Sequence, residues 1–259
     1  ASDCNEAIGG CVPFADIAHG LAQLGVASLR YDKRTYTYAS TYTEEQINAM
    51  TVQEEVIDDA LLAVETLAKT PGIDADAIVL VGHSLGGMLA PRIAAQSGKV
   101  AGIVSLAGSA RGYLDIVYDQ NMAQTDDASQ QNVIKKEYKK IDKLKNMKDS
   151  DTLFGIPVPY LKDLYAHPVE ESLAQLDIPI LVMQGENDFQ MDTADYKSWQ
   201  KALENYAGEK EFVLWPELNH LFVRDTAFKR RGTIAEYLQE GHVDQAVTDK
   251  IASWMLKIN

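Results

Sequence analysis

The sequence predicts an α/β protein built on a doubly wound, mostly parallel sheet, and three observations carry that prediction. Short, almost wholly apolar runs recur at 78–81, 100–107 and 178–183, as strands buried on both faces should. Between them lie stretches whose apolar residues fall at helical spacing. Gly25, Pro71-Gly72 and Gly98 punctuate the change from one kind of segment to the other. The 259 residues, 46% hydrophobic and 24% charged, suit one globular unit with a substantial core.

The elements follow in order. Phe14, Ile17, Ala18, Leu21 and Ala22 recur as one face of a helix, Gly25 stops it, and 26–31 reads as a strand. Thr51 and Glu54 form a capping box, after which Val52, Val56, Ala60, Val64 and Leu67 give the next helix its apolar face. Residues 77–82 and 100–107 are strands. From 111 to 175 the alternation stops. No strand is predicted there, only a polar stretch and a Lys-rich helix whose Ile134, Tyr138, Ile141 and Leu144 share a face, followed by Pro157-Val158-Pro159-Tyr160. This reads as a helical cap inserted between two strands, its lysines forming a solvated face. Alternation resumes with a strand at 178–183, a helix over 196–206 and a strand at 212–215. A closing helix carries Val247, Ile251, Trp254, Met255 and Ile258. The predicted organisation is a first part of the core at 1–110, the cap at 111–175 and a second part of the core at 176–259.

A formal charge of −14 argues against nucleic acid or an anionic membrane as partner, because phosphate binding needs clustered Lys and Arg. No apolar stretch approaches the length of a membrane span. Cys4 and Cys11 lie close together in an N-terminal loop, either as a small local disulfide or as two free thiols. The compartment, cytoplasmic or secreted, stays open. No histidine pairs with another His or a Cys at metal-ligand spacing, so no metal and no cofactor are expected.

The chemistry is carried by Gly82-His83-Ser84-Leu85-Gly86-Gly87, between the apolar run 78–81 and a helical pattern through Leu85, Met88, Leu89 and Ile93. A serine at the apex of a sharp strand-to-helix turn needs neighbours without a Cβ, so that the backbone can fold back and the hydroxyl project above the sheet. The following helix aims its first N–H groups at the same point, where an oxyanion would be stabilised. A phosphate-binding loop is the alternative, but G-x-x-x-x-G-K-[ST] and G-x-G-x-x-G are both absent.

A serine hydroxyl needs a base within reach and a carboxylate to orient that base. The strand at 178–183 runs into Gln184-Gly185-Glu186-Asn187-Asp188-Phe189. The strand at 212–215 runs into Pro216-Glu217-Leu218-Asn219-His220-Leu221-Phe222. Of the five histidines, His220 alone follows a late core strand. His19 lies in a helix pattern, His83 beside the serine, His167 in the insertion and His242 before the last helix. Asp188 is favoured as the acid because it lies deeper in its loop. Glu186 competes with it, and Asp32 is remoter, Asp32-Lys33-Arg34 reading as an ion-paired loop anchor.

The order Ser84, Asp188, His220 resembles that of the α/β-hydrolase superfamily, whose chain order is nucleophile, acid, histidine. With Leu29-Arg30-Tyr31-Asp32-Lys33-Arg34 and Leu218-Asn219-His220-Leu221-Phe222, the chain is similar to bacterial esterases of the dienelactone-hydrolase and acylaminoacyl-peptidase-like branch. The resemblance implies that Ser84 is acylated, that His220 serves as general base and then acid, and that Asp188 orients His220. It also implies strands ahead of the first helix, one of them ending in a His-Gly loop that supplies an oxyanion-hole N–H. Here the first helix begins near Phe14, so Leu85 N–H is one donor and the second is unidentified. The expectation is a missing N-terminal segment of the same protein; otherwise residues 1–3 would have to form part of the hole, or activity would be weak.

Around the expected acyl and alcohol pockets stand Met88, Tyr160, Leu161, Tyr165, Phe189, Leu221 and Phe222, each of which could equally be core. The implied function is a serine hydrolase, a carboxylesterase cleaving small to medium acyl esters through an acyl-enzyme. An acylaminoacyl-type peptidase and a thioesterase or acyltransferase share that intermediate. A ligand-binding protein that keeps the fold without turnover is the non-enzyme alternative.

Overall fold

The computed structural model describes residues 2–224 and 234–258. Ala1, one of the three residues considered above for the oxyanion hole, lies outside them. Helix α1 (Pro13–Gln23) starts with proline at its first position and is followed by two short helices, α2 (Arg34–Thr37) and α3 (Glu44–Ala49). The capping box at Thr51 forms in both directions, Thr51 N–H donating to Glu54 Oε2 at 2.9 Å and Glu54 N–H to Thr51 Oγ1 at 3.3 Å. It opens one π-helical turn, Gln53–Ile57, that leads into α4 (Asp58–Ala68). Strand β1 (Val79–His83), α5 (Leu85–Ser97) and β2 (Gly102–Leu106) follow.

The segment between β2 and the next core strand is helical, with α6 (Tyr113–Ala123) and α7 (Ala128–Tyr138) running into a 3₁₀ stretch, Lys139–Asn146. The three-residue spacing of Tyr138, Ile141 and Leu144 suits that tighter winding, and Leu144 is buried. Contrary to expectation there is a strand signal here. A small hairpin, β3 (Thr152–Leu153) and β4 (Ile156–Pro157), turns at Phe154 and Gly155, both at positive φ. Helices α8 (Val158–Ala166) and α9 (Val169–Leu173) lead to β5 (Ile180–Gly185), α10 (Thr193–Ala202), β6 (Lys210–Trp215) and α11 (Gln245–Ile258). Helix α10 starts three residues earlier than the apolar pattern indicates because Asp192 and Asp195 form a capping box.

The central sheet is parallel throughout, in the order β1-β2-β5-β6, with Val79 opposite Gly102, Ile103 opposite Ile180 and Ile180 opposite Lys210. Alternate residues feed opposite faces. Val104, Leu106, Leu181 and Met183 join one core with Leu21, Val247 and Ile251, while Ile103, Ile180 and Val182 join another with Ala90, Ala94 and Trp199. Both faces are apolar for that reason, and the strands read as unbroken hydrophobic runs.

Residues 26–31 do not form the expected strand. They carry no regular structure and have no ladder partner among the described residues. A β-propensity pattern becomes a strand only when a neighbour supplies the other half of each hydrogen bond. A trough of about 610 Å³ lies in that place, lined from one side by Val26 and Leu29 and from the other by Val79 and Val81 of β1. No helix among the described residues is long and apolar enough to cross a membrane. Cys4 and Cys11 are free thiols, and burial pushes the Cys11 thiol up.

Candidate active site

Ser84 is the hinge between β1 and α5. Its φ of 54° and ψ of −119° put a non-glycine residue in a strained conformation of the kind that costs on the order of 1–3 kcal/mol and persists only where the surroundings impose it. The surroundings are specific. Ser84 N–H donates to Leu106 O at 2.8 Å, tying the turn to β2, and Ser84 O accepts from Met88 N–H at 3.2 Å in the first turn of α5. A Cβ on Gly82 would lie 2.2 Å from Gly86 O, and one on Gly87 would lie 2.6 Å from Ser105 Oγ and 3.1 Å from Gly108 Cα. At Gly86 the same atom would meet nothing. Sterically the turn therefore requires Gly82 and Gly87, not the third glycine of the motif. Leu85, the first residue of α5, carries one of the N–H groups that a helix start leaves without an internal acceptor.

Asp188 and His220 meet over the carboxyl ends of β5 and β6. His220 Nδ1 lies 2.7 Å from Asp188 Oδ2, and both side chains are buried. Asp188 Oδ2 also accepts from Gln184 Nε2 at 2.8 Å, while Oδ1 accepts from the N–H groups of Gln190 and Met191, each at 2.8 Å. With all its acceptor positions directed, the carboxylate has one orientation available, and that orientation faces the imidazole. Glu186, the competing acid, is exposed. Asp32 accepts from Cys4 N–H at 2.7 Å, and the bidentate ion pair of that loop belongs to Arg34, with Asp59.

The loop carrying His220 is shaped by Asn219. Its Oδ1 accepts from Leu221 N–H at 3.0 Å and Val223 N–H at 3.1 Å, and its own N–H donates to Val223 O. Phe222 turns the corner at a φ of 58°. The two loops are also joined to each other, since Asn187 N–H donates to Leu218 O, and Gly185 has no room for a Cβ, which would lie 2.2 Å from that same oxygen. His220 reaches Ser84 through the residue before it. The His83 and His220 rings lie 4.6 Å apart, and His83 Nε2 is 2.8 Å from His220 O. Among the described residues Ser84 Oγ and His220 Nε2 do not share a hydrogen bond, a link that often tightens only when substrate is present.

The expected pocket residues are mostly core. Leu161, Leu221 and Phe222 are fully buried in apolar clusters and Met88 nearly so. Tyr160 donates its hydroxyl to Glu55 Oε2 at 2.9 Å, and Tyr165 accepts from Leu114 N–H at 3.1 Å, both fastening the cap. Phe189 stacks on Tyr237. Large apolar residues in loops near a site also serve to hold those loops, and sequence does not separate the two uses. The space beside Ser84, Leu85 and Gly86 is instead the trough along β1, and none of these seven residues lines it. Sequence reasoning also missed Gln184, Asn219 and Glu6. Glu6 Oε2 lies 2.9 Å from His83 Nδ1, from a position 77 residues earlier in the chain, and no local pattern signals such a contact.

A strained serine between a strand and a helix, with a buried acid–histidine pair in the loops after the last two strands of a parallel sheet, is the arrangement of an α/β-hydrolase. The pattern of the prolyl oligopeptidase family runs through residues 16–241, and the chain belongs to that family. It is similar to the esterase EstD of Thermotoga maritima, 34% identical over 258 residues that cover 99% of this chain and 60% of that protein. Among solved structures it shares the fold of Est1E from Butyrivibrio proteoclasticus, at 17% identity and a TM-score of 0.59 over 95% of this chain and 81% of that one. It also shares the fold of a structure described with the metagenome-derived lipolytic enzymes LipS and LipT, at 16% identity and a TM-score of 0.56 over 97% and 96% of the two chains.

Proposed function

We propose that this chain carries the catalytic core of a serine hydrolase acting on carboxylic esters. Ser84 Oγ attacks the acyl carbon as its proton passes to His220 Nε2, and the alkoxide leaves with that proton. Water then repeats the sequence on the acyl-enzyme and regenerates the serine. Asp188 holds His220 with Nδ1 protonated, and Leu85 N–H faces the developing oxyanion. The observation that carries this reading is the 2.7 Å hydrogen bond between Asp188 and His220 beside a half-buried serine held in a strained backbone conformation. Ser84→Ala should lower hydrolysis of short p-nitrophenyl esters by at least about 10⁴-fold and abolish labelling by a serine-directed phosphonate. Labelling that survives the substitution refutes the assignment.

The family is named for peptidases, so amide cleavage is the second reading. N-acylated peptides assayed beside the esters and thioesters discriminate among the three, and a stoichiometric burst without turnover supports a binding protein instead.

The finer reading concerns the trough. We place in it an extended segment of the same protein, one that pairs with β1 and supplies the second oxyanion N–H. Three features support this: the outer edge of β1 without a ladder partner among the described residues, a strand-like sequence at 26–31 that pairs with nothing among them, and a chain that spans 60% of the Thermotoga relative's length. Native mass spectrometry of material from its own source should find a species heavier than the 28.6 kDa of this sequence. A 28.6 kDa species with full turnover overturns it.

A further inference from the structure

His83 is buried next to Ser84, on the wall of the trough that Glu6 also lines, and its two ring nitrogens face different acceptors. Nε2 is 2.8 Å from the His220 carbonyl oxygen, which can only accept, so Nε2 carries a proton. Nδ1 is 2.9 Å from Glu6 Oε2. That contact is an ion pair outside hydrogen-bond geometry, and among the described residues neither atom has a hydrogen-bond partner; two bare acceptors at this distance would repel, so a second proton belongs between them. One imidazole and one carboxylate thus hold two protons where a neutral histidine and an ionised glutamate would hold one.

We propose that Glu6 and His83 are positioning residues for the base: together they keep an extra proton in a buried pair that fixes the main chain of His220. The role rests on the hydrolase reading above.

The charges agree with the geometry. Burial alone would drive His83 neutral, but the Glu6 carboxylate, with the His220 carbonyl, holds it above its ordinary value. Burial would likewise raise Glu6, but the His83 imidazole outweighs this and holds the carboxyl below its ordinary range. Both directions favour imidazolium and carboxylate. The other ionisable groups facing it are His220 and Asp188 on the active-site side and Lys33 on the side of Glu6, and Phe14 closes the His83 ring edge-on at 6.2 Å.

The pair joins three parts of the chain. His83 belongs to β1 and immediately precedes the serine, and its bond to His220 O spans 137 residues to the loop after β6. Glu6, at a φ of 52°, sits in an N-terminal loop strapped on one side by Cys4 N–H to Asp32 Oδ1 and on the other by Gly10 N–H to Tyr237 O. The imidazole of His220 is thus held from two directions, its Nδ1 by Asp188 and its main chain by His83. A shift of the base by about 1 Å is enough to cost on the order of 100-fold in rate.

Two variants separate the pair's hydrogen bonding from its charge. In Glu6→Gln the amide can donate to the free Nδ1 of a neutral ring whose Nε2–H still reaches His220 O, so the anchor survives and the extra proton does not. In Glu6→Ala both are lost. Side-chain ¹⁵N spectra should show both nitrogens of His83 protonated in the wild type between pH 6 and 8, and only Nε2 in Glu6→Gln. The low-field Nδ1 proton of His220, bonded to Asp188, should persist in Glu6→Gln and disappear in Glu6→Ala. Ester hydrolysis should follow it, with kcat down roughly 10-fold in Glu6→Ala, KM within about 2-fold, and most of the loss recovered in Glu6→Gln. An unprotonated Nδ1 on wild-type His83 overturns the proposal, as does a Glu6→Gln protein whose His220 proton is lost as fully as in Glu6→Ala. Both spectral readouts are independent of turnover, so they stand even if the hydrolase reading fails.

Discussion

On the β5–β6 side of the sheet the loops above the carboxyl edge are tied to one another, whereas on the β1 side the edge faces an open trough. Asp188 is held by Gln184 and two backbone N–H groups, His220 by Asp188 and His83, and the two loops by Asn187 to Leu218. At the other edge Val26, Leu29, Val79 and Val81 line the trough, and among the described residues no strand pairs with the outer edge of β1. The proposed base and its acid are preorganised by this chain's own bonds. The side that would receive the oxyanion has one identified donor. The comparison teaches that the parts of a hydrolase site are separable, and that proton transfer and oxyanion stabilisation can be tested apart.

The largest effect should come from breaking the finished side. Asp188→Asn keeps the shape of the acid but presents an N–H₂ or a weaker acceptor to His220 Nδ1, favouring the wrong tautomer of the base. Steady-state ester hydrolysis should fall by about 10⁴-fold in kcat with the fold retained by circular dichroism. A loss under 10-fold would mean that the buried pair is structural and the base lies elsewhere.

The next contrast sharpens the comparison through stability. Leu181 is fully buried on β5 between β2 and β6, and Leu181→Ala should cost about 2–5 kcal/mol in urea unfolding. Leu29, at a similar level of hydrophobicity but partly exposed at the trough, should cost under about 1 kcal/mol as Leu29→Ala. Equal losses would show that the 26–31 side is packed as tightly as the centre, contrary to the open edge described here.

What the sequence disclosed divides along the same line. The strands at 78–81, 100–107 and 178–183 were legible because burial on two faces leaves a continuous apolar run, and the structure sends Ile103 and Val104 to opposite cores. The turn at Ser84 was legible from its glycines, although only the structure shows that Gly82 and Gly87, and not Gly86, lack room for a side chain. The run at 26–31 carries the same pattern, but pattern reports a surface and not its neighbour, so the missing ladder could not be read from it. Position in the loop favours Asp188 over Glu186, but it does not show what holds the carboxylate there. A loop's depth is set by where Gln184, Gln190 and Met191 direct their N–H groups, and this exists only once the chain is folded. Phe222 and Leu221 looked like pocket walls because they adjoin His220; they are buried because that loop needs its own small core. Glu6 and His83 meet across 77 residues, with nothing in either neighbourhood to announce it.

The smallest effect is the most diagnostic of how the two sides are joined. His83 is held above its ordinary value, so its contribution to stability is complete below about pH 6.5 and is lost as pH rises through its folded value. Glu6 is held below its ordinary value of 4.5, so its contribution is complete above that pH and is lost as pH falls through its folded value. Both are complete together between about pH 4.5 and 6.5 and fade only as pH passes the folded values on either side. Within that window Glu6→Gln should lower the thermal midpoint most, by a few degrees for a difference of order 1 kcal/mol in a chain of this size, and the gap should narrow at pH 9 and at pH 3. Melting curves of the two proteins across that range measure it. A gap that stays constant from pH 3 to 9 would mean that the carboxylate acts by shape alone, and the imidazolium beside the nucleophile would have to be abandoned.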